Sequence, residues 1–289
     1  MRKYTVIEGN VPELAKKIAE KLNAKLIKTQ TRIFPDGESK VTLSENPGKY
    51  CIVVYSTFPP VDSNLIKILS VISKAKEHAH EVTAIIPYMG YARQDREFLP
   101  GEVVTMKVLN KLFRGVGTSK IIVVDIHSKI GLKQFTMKKE NISAIPDLVK
   151  YFQKIKLKNP LVVSPDKGGE QRAKMFAASF GSDYIALTKN RDRKTGKVKI
   201  MTSKLAVQNR DLILVDDMIS TGGSIIKATE FLKKQKCRRV FVACTHALLM
   251  NNAEMRIKKA GVTKIVSANT IPGKTSIVDV SDAIIDAIK

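Results

Sequence analysis

Ile213-Leu214-Val215-Asp216-Asp217-Met218-Ile219-Ser220-Thr221-Gly222-Gly223-Ser224 decides how this chain is read. The apolar residues up to Val215 have the composition of a buried strand, which the pattern ends at two adjacent carboxylates. A turn of small residues then opens a helix. Gly222 and Gly223 let the backbone approach a ligand closely, and the N–H groups of such a turn suit a phosphate. Ser220, Thr221 and Ser224 add hydroxyl donors. Asp216 and Asp217 would repel that phosphate, so their task is to accept from sugar hydroxyls or to hold a divalent cation. An Asp-rich turn before a Ser or Thr helix cap is common in α/β proteins. The apolar run before the pair and the hydroxyl-Gly-Gly-hydroxyl turn after it favour a site for a phosphorylated pentose.

Outward from this stretch, apolar runs of strand length alternate with helical patterns. Strands are expected at Tyr4–Ile7, Cys51–Tyr55, Val82–Ile86, Ile121–Val124, Leu161–Val163, Tyr184–Leu187, Leu212–Val215, Val240–Cys244 and Lys264–Val266. Amphipathic helices are expected at Pro12–Leu22, Ser63–Glu77, Val103–Phe113, Gly169–Ala178 and Gly223–Lys234. This rhythm predicts an α/β protein with parallel sheets covered by helices, and ligands at the carboxyl ends of strands. The chain divides into two halves, 1–141 and 142–289. Lys189–Lys199 is charged and poor in apolar residues, the composition of a mobile loop or lid.

With 289 residues and 44% hydrophobic content, the chain is long enough for two packed domains. Its apolar runs are strand-length and far too short to cross a bilayer, and no signal peptide is evident. Cys51, Cys237 and Cys244 are odd in number and widely spaced, which suits reduced intracellular thiols and no zinc site. The formal net charge is +23, from 50 Lys and Arg against 27 Asp and Glu. These cations are dispersed along amphipathic segments, without an arm, a zinc finger or an aromatic RNA-binding signature. A solvated surface that also draws in anionic substrates fits better than a nucleic-acid partner.

Further stretches follow expected strands or sit in turns. Arg32–Glu38 reads by itself as an ordinary turn, or as a ring, Phe34, stacking on a base whose amine meets Asp36 and Glu38. Pro87–Arg96 offers Arg93 and Gln94 for a nucleotide, or forms a surface turn with an internal Arg–Asp pair. His127 lies two residues after Asp125 at a strand end, where a metal or phosphate role competes with a structural one. Ser164–Glu170 repeats the theme of strand, acid and glycines, with Asp166 suited to a cation that bridges phosphates. Lys189 and Arg191 place two cations at the start of the charged loop.

Taken together, these segments resemble the ribose-phosphate diphosphokinase family, in the family's order and over most of the chain; motif details are closest to archaeal members. The resemblance implies two type I phosphoribosyltransferase-like domains, each a mostly parallel sheet flanked by helices. It implies that the C-terminal helix, from about residue 280, packs on the first domain. It further implies transfer of the diphosphoryl group of ATP to the C1 hydroxyl of ribose 5-phosphate, with AMP as co-product, for nucleotide biosynthesis. Ribose 5-phosphate would then sit on Asp216, Asp217, Ser220, Thr221, Gly222, Gly223 and Ser224. ATP would sit on Arg93, Gln94 and His127, with Phe34, Asp36 and Glu38 reaching its adenine from a neighbouring subunit. His127 and Asp166 would place Mg²⁺, and Lys189 and Arg191 would stabilise the transition state. A cytoplasmic homo-oligomer, at least a dimer, with no nucleic-acid or membrane partner, completes the expectation. Ser220 stands where many relatives have Asp, and Glu97–Glu102 is less basic than in many bacterial members. A plain phosphoribosyltransferase would share the Asp216 turn but has no need of Phe34, Arg93, Gln94 and His127.

Overall fold

The computed structural model describes residues 3–191, 198–200 and 207–288, with backbone alone at 189–191 and 198–200. Two compact units result. Met1–Ser143, Thr270–Pro272 and Asp279–Lys289 form the first; Ala144–Asn269 and Gly273–Val278 form the second.

In the first unit the chain runs β1 (Tyr4–Glu8), α1 (Pro12–Lys21), β2 (Lys25–Ile33), β3 (Ser39–Leu43), β4 (Tyr50–Val54) and α2 (Val61–Lys76). It continues through β5 (Glu81–Ile86), α3 (Thr105–Gly115), β6 (Lys120–Val124), α4 (Lys129–Lys133) and β7 (Lys138–Ile142). These strands make one sheet ordered β3-β2-β1-β4-β5-β6-β7. Its central strands read as continuous apolar runs because helices cover both faces. Val53, Ala84 and Val123 are wholly buried against Ile68 and Ile72 of α2 and Leu109 and Phe113 of α3. Fully burying each such side chain contributes about 1.5–3 kcal/mol. On α1, Pro12 starts the helix and Leu14, Ala15, Ile18 and Ala19 form its single buried stripe.

The β2–β3 pair departs from the parallel pattern expected from the sequence. It is an antiparallel hairpin, Thr29↔Leu43 to Ile33↔Ser39. β1 supports β2 only from Lys25 to Lys28, so the distal half extends past the sheet with most residues exposed. Its polar sequence lacks the apolar signal that marks the buried strands.

The second unit comprises α5 (Ile145–Gln153), β8 (Leu161–Ser164), α6 (Glu170–Phe180), β9 (Tyr184–Ala186), β10 (Lys189–Arg191) and β11 (Val198–Ile200). It continues with β12 (Asp211–Ile219), α7 (Gly223–Lys234), β13 (Arg239–Ala247), α8 (Ala253–Lys259), β14 (Val262–Ala268) and β15 (Ser276–Val278). The sheet order is β15-β14-β13-β12-β8-β9, and all its pairs are parallel. Phe152 packs edge-on to Phe176 and Phe241, at 6.0 and 6.2 Å between ring centres. The final helix, α9 (Ser281–Ile288), lies in the first unit. There it buries Ile284 and Ile285, while Lys17 pairs with Asp279 at 3.1 Å and Lys21 with Asp282 at 2.5 Å.

Two sequence expectations are corrected here. β12 does not end at Asp216 but continues to Ile219, because Met218 pairs with His246 and Ile219 with Ala247 on β13. Lys189–Lys199 is not a plain loop: Lys189–Arg191 pairs antiparallel with Val198–Ile200. Residues 192–197 and the side chains of Lys189 and Arg191 lie outside the description.

Several cations lie before the strands of the second unit. Asp211, wholly buried at the head of β12, accepts from Lys158 N at 2.7 Å, Arg238 Nη1 at 2.8 Å and Arg239 Nη2 at 2.6 Å. Lys154, Lys156, Lys158, Lys234, Lys236 and Arg238 are exposed around it.

Candidate functional site

In the first unit the candidate residues lie on loops after β5 and β6, which are neighbours in the sheet. Arg93 and Gln94 are exposed, but the next residue, Asp95, is buried. Its carboxylate accepts from Arg96 Nε at 3.1 Å and Nη2 at 2.9 Å, and from Ser128 Oγ. Its carbonyl accepts from Gln134 Nε2 at 2.6 Å. Ser128 also caps α4, accepting from Gly131 N at 3.1 Å. Asp95 therefore ties the Arg93–Gln94 loop to the loop that bears His127, itself exposed. Asn141 Oδ1 accepts from Ile126 N at 2.8 Å, and Ile142 O from Asp125 N at 2.8 Å, fixing the second loop to β7.

The hydrogen bonds from Arg96, despite burial, hold the Asp95 carboxyl down at about 2. A depressed carboxyl stabilises the fold above its unfolded value of about 4 and loses that contribution as pH falls through its folded value. The thermal midpoint of Asp95→Asn is accordingly expected below that of the wild type by a constant margin above pH 5. The margin should close as pH falls toward 2. A margin independent of pH would contradict the charged role of Asp95.

Phe34, Asp36 and Glu38 occupy the tip of the projecting hairpin. Phe34 N donates to Glu38 O at 2.8 Å, and Asp36 Oδ1 accepts from Glu38 N at 3.1 Å, closing the turn. The Arg32 guanidinium lies 5.1 Å from the centre of the Phe34 ring. In the sheet, β1 and β4 separate β2 from β5. The fold thus brings Arg93, Gln94 and His127 together and leaves the hairpin tip on a different part of the sheet.

In the second unit the loops after β8 and β12 are also neighbours, since Val163 pairs with Leu214. Asp166 caps the tight turn Lys167–Gly169, accepting from Gly169 N at 3.3 Å. Gly169 is required here: a Cβ would stand 2.7 Å from Ser164 Oγ. After β12, Ser220, Thr221 and Gly222 lead into α7, whose first turn has no side-chain cap. Ile219 O and Ser220 O accept from Leu249 N at 3.0 Å and Met250 N at 2.9 Å, so the segment before α8 braces the turn. Gly222 has φ +75° and its Cβ position lies 2.8 Å from Ile257 Cδ1. Gly222→Ala combines backbone strain with a clash, and a loss of about 1–3 kcal/mol is expected in denaturant unfolding. An unchanged midpoint would contradict that account.

Asp216 and Asp217 stand side by side at this strand end, and Asp217 is nearly fully buried. Burial, reinforced by the charge of Asp217, pushes the Asp216 carboxyl up to about 8. Arg172 of α6 partly offsets this, with Nη1 3.7 Å from Asp216 Oδ1 and Nη2 3.6 Å from Asp217 Oδ2. The internal Arg–Asp pair open to the Pro87–Arg96 turn is present as Arg96–Asp95 at 2.9 Å, whereas nothing in the sequence marks the roles of Arg172 and Asn141. The position of Arg172 three residues after Gly169 was visible; its reach to the Asp pair was not.

The first half matches the family model described as the N-terminal domain of ribose phosphate pyrophosphokinase, over residues 5–117. The second matches the phosphoribosyl transferase domain, over residues 137–281. Ribose-phosphate pyrophosphokinase from Sulfolobus acidocaldarius is 35% identical over 274 residues, covering 93% of this chain and 94% of that one. The same-named protein of Methanopyrus kandleri is 36% identical over 279 residues, covering 96% and 95%. This chain belongs to the ribose-phosphate pyrophosphokinase family. A crystal structure of phosphoribosylpyrophosphate synthetase from Mycobacterium smegmatis superposes with a TM-score of 0.86 and 25% identity, covering 99% of this chain and 98% of that one.

Membership in the pyrophosphokinase family accounts for the two domains, and so for two sets of strand-end loops, in one chain. Among the described residues no three His, Cys, Asp or Glu side chains are grouped to cage a metal ion.

Proposed function

We infer that this chain makes 5-phosphoribosyl 1-diphosphate from ribose 5-phosphate, taking the diphosphoryl group from ATP and releasing AMP. The observation that carries this reading is the presence, in one chain, of the Asp95-linked loops and the Asp216 phosphate turn. A phosphoribosyltransferase would need the turn alone.

In this reading the turn Ser220–Ser224 grips the 5-phosphate through backbone N–H groups and hydroxyls, while Asp216 and Asp217 accept from the ring hydroxyls. Arg93, Gln94 and His127 bind ATP, and Phe34, Asp36 and Glu38 serve the adenine held by a neighbouring copy. The chain then works as a homo-oligomer, at least a dimer. The hairpin's extension beyond its own sheet supports that role. His127 and Asp166 would hold Mg²⁺, which when bound offsets triphosphate charge. Lys189 and Arg191 oppose the charge that builds as the diphosphoryl group moves. The remaining work is positioning: two anions are held in line against their repulsion. The reduced-thiol composition supports a cytoplasmic setting, and no helix among the described residues is long and apolar enough to cross a membrane.

Phosphorus NMR tests the reaction. The purified chain with Mg²⁺, ATP and ribose 5-phosphate is expected to yield AMP and a sugar with a diphosphate at C1. ADP as the product, or no AMP across varied metal and phosphate, would overturn it.

A further inference from the structure

Arg172 is the one residue of α6 that meets both carboxylates at the end of β12. Its contacts of 3.7 Å to Asp216 and 3.6 Å to Asp217 exceed hydrogen-bond length, so the interaction is charge against charge. The arginine side chain is only 21% exposed and that of Asp217 8%, so solvent screens the contact weakly. Its helix begins at the turn capped by Asp166, and Nη1 lies 3.8 Å from the Cβ position of Gly169. Arg172 therefore stands between the two strand-end loops of this unit.

The site poses an electrostatic problem. Two adjacent carboxylates suit neutral sugar hydroxyls, but they repel the phosphate of the same sugar. A planar guanidinium presents two nitrogens to two separate carboxylates at once, whereas an ammonium is a point charge. We propose that Arg172 is a positioning residue of the sugar-phosphate subsite, which offsets the charge of Asp216 and Asp217 and aims both carboxylates at the sugar ring. The proposal rests on the reading of the Asp216 turn as the ribose 5-phosphate site.

The test is calorimetric binding of ribose 5-phosphate to the full chain, with KM and kcat measured alongside. Arg172→Met is expected to weaken ribose 5-phosphate binding about tenfold or more and to raise its KM, with the KM for ATP within about twofold of wild type. Arg172→Lys should restore part of the loss. Should Arg172→Met fail to fold, Arg172→Lys measured against wild type gives the same comparison. Equal binding by wild type and both Arg172 variants would overturn the proposal. So would an equal rise in the KM values of ribose 5-phosphate and ATP, since that marks a merely structural arginine. If the wild-type chain itself binds no ribose 5-phosphate, the reading of the turn fails first.

Discussion

Lys189→Ala is expected to lower turnover by roughly two to three orders of magnitude, while equilibrium binding of a non-hydrolysable ATP analogue changes by less than about threefold. The reason is the timing of charge. Phosphoryl transfer asks the protein for little covalent chemistry, and stabilisation acts where negative charge builds on the transferring group. A cation that meets this charge only in the transition state lowers kcat when removed and leaves ground-state affinity alone. Positions 189 and 191 are the ends of β10, paired with Ile200 and Val198. Both residues open the same charged segment of the sequence. Arg191→Ala should accordingly show the same pattern. Equal losses in kcat and ATP affinity would instead assign these residues to nucleotide binding.

Asp216→Asn should give a protein that is more stable without ligand and nearly inactive. Burial and the neighbouring Asp217 raise the Asp216 carboxyl well above the usual carboxylate range. A carboxyl raised in the folded state contributes its stability at low pH and loses it as pH rises through the folded value. The window here runs from about 4, the unfolded value, to about 8. The wild-type thermal midpoint should therefore fall across this window more than that of the variant, and the gain should be greatest above pH 8. A gain of about 2 kcal/mol there is the expected scale. Activity goes the other way, because a side-chain amide replaces one of the two acceptor oxygens with a donor. Denaturation across pH with a ribose 5-phosphate titration checks both halves. A less stable variant at pH 8 would refute the strain assigned to the carboxylate pair.

Both predictions concern residues that were legible in the sequence, and the reason is local chemistry. Strand, acids, small-residue turn and helix lie within twelve consecutive positions, Ile213 to Ser224, so their spacing alone describes a phosphate site. The buried strands were legible for a similar reason: helices cover both faces, which demands unbroken apolar runs such as Ile121–Val124. β2 and β3 were not, because β3 sets only Val41 and Leu43 against the core and the distal half of β2 is exposed, so neither carries a long apolar run. β12 was legible only to Val215, because the polarity of Asp216 and Asp217 marks the expected stop. Pairing with β13 carries the strand through Asp216 and Asp217 to Ile219.

The sequence by itself determined the βαβα architecture, the strand–acid–glycine turn at Asp216 and the family, since periodicity and short motifs are properties of neighbouring residues. Only the tertiary structure decided the partners. Asp95 became the buried link to Ser128, Arg172 the counter-cation of Asp216 and Asp217, and Arg238 and Arg239 the ion-pair partners of Asp211. Each joins residues at least 27 positions apart. No local pattern encodes such pairs; adjacent strand ends in the folded sheet bring them within reach.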